Sequence, residues 1–97
     1  MVTGTSIGYV TFVMGKYDKI LRLVLSGQND SNIRFNDLCD LLVSLGLELR
    51  RVSGSHHIYS YEGVLELIDL QPDKKDHSKA KSYQVKQVRG FTESYLK

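Results

Sequence analysis

The sequence predicts an α+β domain in the order helix, helix, strand, strand, strand, helix, with the helices on one face of a three-stranded antiparallel sheet. Three observations predict it. Two early stretches repeat apolar residues at helical spacing, and each meets a glycine where its stripe ends. The middle of the chain then alternates apolar and polar residues between tight turns, and the last stretch returns to helical spacing with cations on its other side. A helix with one apolar stripe and a sheet with one apolar face bury those faces against each other, which gives two layers around a single core. At 97 residues the chain has room for one such core and none for a separate dinucleotide-binding domain.

Tyr17, Ile20, Leu21 and Val24 follow i, i+3, i+4, i+7 spacing with Gly27 just beyond them, so a first helix covers about residues 16–26. Gln28-Asn29-Asp30-Ser31-Asn32 is a turn of residues that bond their own backbone. Leu38, Leu41, Leu42 and Leu45 repeat the stripe, with Asp37 near the positive helix start and Gly46 at the stop, predicting a second helix over about 35–46. Leu47, Leu49 and Arg51 then alternate with Glu48 and Arg50; Ser53-Gly54 turns the chain; and His57, Tyr59 and Tyr61 alternate with Ile58 and Ser60. Glu62-Gly63 leads into a third strand, Val64 to Leu70, which Gln71-Pro72 ends by removing a backbone donor. Asp73 to Lys81 is charged and aperiodic, the pattern of a mobile loop, and Ser82 is placed to cap a last helix over about 82–96. Val85, Val88, Tyr95 and Leu96 form that helix's apolar face, and Gly90 weakens its middle by about 1 kcal/mol relative to Ala.

Residues 1–13 carry no charge and read as an N-terminal extension. They lack the basic start of a signal peptide and are too rich in polar and glycine positions for a membrane span. Met14-Gly15 precedes the first amphipathic pattern, so the domain is expected to be 14–97, with Met14 as a candidate start. Residues 14–73 hold six Lys/Arg against nine Asp/Glu, whereas 74–97 hold seven against two. A basic end of this kind suits a polyanion, and it is equally the solvated face of an ordinary helix. The lone Cys39 sits inside an apolar helical pattern, cannot form an internal disulfide, and fits a reducing, cytoplasmic setting.

The chemistry concentrates in Arg50-Arg51-Val52-Ser53-Gly54-Ser55-His56-His57, a glycine-kinked hairpin that delivers two imidazoles beside positive charge. Imidazole titrates near neutrality and can take and return a proton within one turnover. Adjacent residues on a strand face opposite ways, so only one of the pair can serve a given pocket. The same alternation argues against a metal site, since His77 is distant in the charged loop and no Cys stands at ligand spacing. No cofactor is expected. Gly54 lets backbone approach a phosphate and the flanking serines can donate to it, although a tight hairpin requires a glycine in any case. Tyr59, Tyr61 and Tyr83 have faces on which bases stack, and cross-strand tyrosines also pack on each other.

Taken together, Asp37-Leu38-Cys39-Asp40-Leu41-Leu42 with Leu45-Gly46, Gly54-Ser55-His56-His57-Ile58-Tyr59, Asp69-Leu70-Gln71-Pro72, and Lys79-Ala80-Lys81-Ser82-Tyr83-Gln84-Val85-Lys86-Gln87-Val88-Arg89 resemble the HicA-type toxin family, from about Met14 to Arg89. The resemblance implies a fold like the double-stranded-RNA-binding domain and an endoribonuclease (mRNA interferase) toxin that cleaves mRNA. It also implies a HicB-type antitoxin covering the active surface. The family's functional histidine directly follows Gly-Ser, which maps to His56; His57 is its companion. Arg51, Gly54, Ser55, His57, Lys79, Lys81, Tyr83 and Lys86 are then the candidate RNA-binding residues. Two departures stand out: Ser82 occupies a position where relatives carry Pro, and Gly90 with Thr92-Glu93-Ser94 is less regular than the family's final helix.

A metal-independent mechanism is available because RNA carries its own nucleophile. Neutral His56 would remove the 2′-hydroxyl proton while lysines and backbone amides stabilise charge on the phosphate. DNA lacks that hydroxyl and is neither cut nor expected as a partner. The alternatives are a non-catalytic RNA-binding module of the same fold and an interaction protein whose basic helix docks an acidic partner.

Overall fold

The computed structural model describes residues 15–96. The expected extension at 1–13 and the start at Met14 lie outside them. The described chain is an α+β domain with three helices and one three-stranded antiparallel sheet. Helix α1 is Gly15–Ser26, a single 3₁₀ turn follows at Asp30–Asn32, and helix α2 is Phe35–Ser44. Strands β1 (Glu48–Ser53), β2 (His56–Tyr61) and β3 (Val64–Leu70) pair in chain order, and helix α3 is Ser82–Phe91. A wider π turn, Thr92–Leu96, closes the described chain.

The core lies between the helices and one sheet face. Val24 of α1, Leu38, Leu41 and Leu42 of α2, Tyr59 of β2, Ile68 and Leu70 of β3, and Val85 and Val88 of α3 are all buried. The intervening strand residues point the other way: Leu65 and Leu67 are exposed, and Ile58 and Asp69 half-buried. This is the alternation that leaves one face of an antiparallel sheet to water.

Local chemistry shifted two expected boundaries and one expected cap. Helix α2 stops at Ser44 because its last turn tightens: Leu45 donates to the Leu41 and Leu42 carbonyls and Gly46 to that of Val43. The helix expected over 82–96 is regular only to Phe91. There the buried Thr92 hydroxyl donates to the Val88 carbonyl at 2.8 Å, and the ladder widens. Ser82 is the first residue of α3 and not its cap, which is Lys81; a first-turn position is also where Pro is favoured.

The stretch 73–81 is a stitched turn, contrary to the mobile loop expected from its charge. Pro72 bridges Ala80 and Arg34 bridges Lys79, Phe35 donates to the Ser78 carbonyl at 2.9 Å, and Ala80 donates to that of Ile33 at 2.9 Å. Side chains brace it from within: Asp73 Oδ2 accepts from the backbone of Lys75 and Asp76, and Asp76 Oδ1 from Ser78. Polar composition marked the segment as surface, but these backbone partners lie elsewhere in the chain.

Candidate functional site

The β1–β2 connection is a two-residue turn, Gly54-Ser55, with Ser53 paired to His56. Gly54 has φ +60° and Ser55, like every described non-glycine residue, does not have positive φ, so the turn carries its left-handed residue first, the II′ geometry that matches strand twist. A Cβ at Gly54 would meet nothing within 4 Å; the glycine is needed for its backbone angle. The turn puts His56 and His57 at the head of β2, where they diverge. His57 pairs with Val52 and Leu70 on the helix side and meets Phe35 edge-on, with ring centroids 5.1 Å apart. His56 lies on the open face.

On that face the His56 Nδ1 is 2.9 Å and 3.1 Å from the two oxygens of Asp69 and 3.1 Å from Gln71 Nε2. These neighbours make opposite demands. A carboxylate only accepts, so it requires a proton on Nδ1; an amide NH₂ only donates, so it requires a lone pair there. Lys81 Nζ donates to Gln71 Oε1 at 3.0 Å, which fixes the amide with its nitrogen toward the ring. The ionic acceptor makes the stronger bond, so the network assigns the proton to Nδ1. The Nε2 lone pair is then free to act as a base.

Gln84 holds this arrangement to the helix layer. Its side chain is only 3% exposed; Oε1 accepts from Gln71 N at 2.8 Å and Nε2 donates to the Asp69 carbonyl at 2.8 Å. One amide thereby grips the backbone of both residues that contact the imidazole.

A β-bulge decides where Arg51 goes. The β1–β2 register shifts between Leu49, which faces Tyr59, and Arg51, which faces Ile58, so Arg50 is an extra residue. Simple alternation would put Arg51 on the side of Leu49 and Leu47. The bulge turns it instead to the open face, with Ser53, His56 and Ile58. Arg50 reaches Glu48 at 2.7 Å.

The remaining candidates divide. Lys81 belongs to the His56 network, while Lys79 is engaged by Asn32 at 3.0 Å on the far side of the stitched turn. Tyr83 is 55% exposed on α3, with the Lys81 ammonium 5.9 Å from its ring centroid, and Lys86 is exposed on the same helix. Tyr59 is buried: desolvation, with a hydrogen bond to Cys39, pushes its phenol up, and burial raises the Cys39 thiol. It belongs to the core and offers no face to a base, and Tyr61 packs edge-on against Phe91. Below the glycine turn, Ser55, Gln71, Pro72, Lys74 and His77 line a cleft of about 240 Å³. Among the described residues no group of three His, Cys, Asp or Glu side chains converges as a metal site, and no helix is long and apolar enough to cross a membrane.

Sequence reasoning missed Asp69, Gln71 and Gln84. The one available signal was an acid at a strand position whose neighbours, Ile68 and Leu70, are core, which places its carboxylate on the open face. Comparison with family models, with curated proteins and with solved structures finds no match to this chain.

Proposed function

We propose that this chain is a HicA-type toxin with a fold like the double-stranded-RNA-binding domain, a metal-independent endoribonuclease that acts on mRNA in the cytoplasm and is restrained by a HicB-like antitoxin. The observation that carries the reading is the His56–Asp69 contact at 2.9 Å, which leaves the imidazole Nε2 free at the head of a glycine turn. Asp69 acts as a positioning residue: it holds the ring in the base-competent tautomer and stabilises the imidazolium that forms after proton removal, the logic of an acid–histidine pair in any hydrolase. Lys81 and Arg51 supply positive charge near the phosphate, and Lys86 and Tyr83 extend that surface along α3.

In the reaction, His56 Nε2 takes the 2′-hydroxyl proton, the 2′-oxygen attacks phosphorus, and the bond to the 5′-oxygen breaks. The products carry a 2′,3′-cyclic phosphate and a 5′-hydroxyl. The test is incubation of the purified chain with a defined oligoribonucleotide in the presence of a chelator. Cleavage to those ends is expected, and a single 2′-deoxy substitution at the cut position should abolish it. Salt-dependent binding with no products would instead support a non-catalytic RNA-binding module, a reading favoured by exposed Tyr83 beside Lys81.

A further inference from the structure

The chemistry above leaves one proton unassigned. Expelling the 5′-oxygen as an alkoxide is unfavourable, so fast cleavage requires an acid on the side of the leaving group. Sequence spacing assigned His77 no role, since it stands alone in a charged segment. The fold brings it back to the hairpin: His77 shares the 240 Å³ cleft with Ser55, the residue before His56, and with Gln71, whose amide lies 3.1 Å from the His56 ring.

The segment that carries it is held. Asp76 Oδ1 accepts from Ser78 N at 3.0 Å and Ser78 Oγ at 2.6 Å, Lys79 N donates to the Asp76 carbonyl at 3.0 Å, and Asp73 N donates to that of Lys79 at 2.8 Å. These bonds to the residues on either side of His77 hold its backbone where it lines the cleft with Ser55, while its side chain remains exposed. Of the groups lining the cleft, only an imidazole both carries and releases a proton near neutrality. The Lys74 ammonium and the Ser55 hydroxyl suit the phosphate as charge and donor.

We propose that His77 is a second catalytic residue, the general acid that protonates the departing 5′-oxygen, and that the cleft below the glycine turn holds the ribose on the leaving side of the cleaved bond. This rests on the ribonuclease reading of His56. One proton passes from the 2′-hydroxyl to His56 and another from the His77 imidazolium to the 5′-oxygen. The P–O2′ bond forms as the P–O5′ bond breaks, and no co-reactant is consumed.

The experiment compares two oligoribonucleotides of one sequence, one with an ordinary 5′-oxygen at the cleaved bond and one with a bridging 5′-sulfur, whose thiolate leaves without a proton. His77→Gln should slow cleavage of the oxygen substrate by about 10²-fold and that of the sulfur substrate by less than about 3-fold. His56→Ala should slow both. Equal losses of His77→Gln on the two substrates would mark His77 as a binding or folding residue and overturn the proposal, as would no loss on either. If the wild-type chain cuts neither substrate, the ribonuclease reading fails and this inference fails with it.

Discussion

Two acid–base pairs join distant parts of this chain, and they are built for different ends. Arg89 on α3 grips Asp30 in the 3₁₀ turn through two bonds of 2.9 and 3.0 Å, with a third, 2.8 Å, to the Val24 carbonyl. Its side chains are 20% and 12% exposed, and Gly27 lies so close that a Cβ there would be 3.3 Å from the guanidinium. His56 and Asp69 make a similar contact, yet are 44% and 45% exposed and share it with an amide of opposing demand. In the first pair both carboxylate oxygens and both terminal guanidinium nitrogens are engaged. In the second, the bonds all fall on Nδ1 and leave the other ring nitrogen unused. A sealed pair locks helices together, whereas an open pair keeps a proton acceptor in a chosen state; the geometry of the bond alone does not distinguish them.

The comparison breaks most sharply at the open pair. On the proposed ribonuclease reading, His56→Ala should lower RNA cleavage by about 10²–10⁴-fold with an unchanged circular dichroism spectrum, and growth arrest should disappear with it. Unaltered cleavage in that variant would remove His56 from the mechanism.

At the sealed pair the loss should fall on stability. Arg89→Met strands the Asp30 carboxylate at a cost of about 2 kcal/mol, read as a lower urea midpoint, while any RNA cleavage by the folded protein should keep its former rate. A midpoint within error of the wild type would show that the pair does not hold the fold.

Asp69→Asn sharpens the contrast further. The amide no longer enforces the proton on Nδ1, so cleavage should fall on the order of 10- to 100-fold with little change in urea midpoint. Histidine ¹⁵N shifts would report the tautomer directly, and a wild-type tautomer ratio in the variant would show that Asp69 does not set it.

The smallest effect is a pH dependence. Hydrogen bonding from Arg89 holds the Asp30 carboxyl below the usual carboxylate range. The folded state therefore binds that proton less readily than the unfolded chain, and the pair's contribution is complete above about pH 4 and is lost as pH falls through the lowered value. The gap in urea midpoint between the wild type and Arg89→Met should be constant from about pH 7 to 5 and narrow below about pH 4. A constant gap down to pH 3 would assign the stabilisation to packing of the arginine stem.

Much of the architecture was legible before folding. Leu38, Leu41 and Leu42 are core on α2 because a 3.6-residue period leaves them no other common face, and His56 and His57 part company because strand side chains alternate. The basic α3 residues divided less cleanly: Arg89 carries the same charge as Lys86, and only packing made one a lock and left the other exposed.

By itself, then, the sequence determined the kinds and order of the elements, the glycine at the hairpin and the divergence of the two histidines, since each follows from bonds and sterics within a few residues. Tertiary structure alone decided that Asp69 and Gln71 flank His56, that Gln84 clamps both from the helix layer, that a bulge at Arg50 turns Arg51 to the imidazole side, and that His77 returns to the glycine turn. Those outcomes depend on strand register and on a turn stitched to residues 33–35. Periodicity states which way a side chain points; only pairing between distant segments settles what it meets.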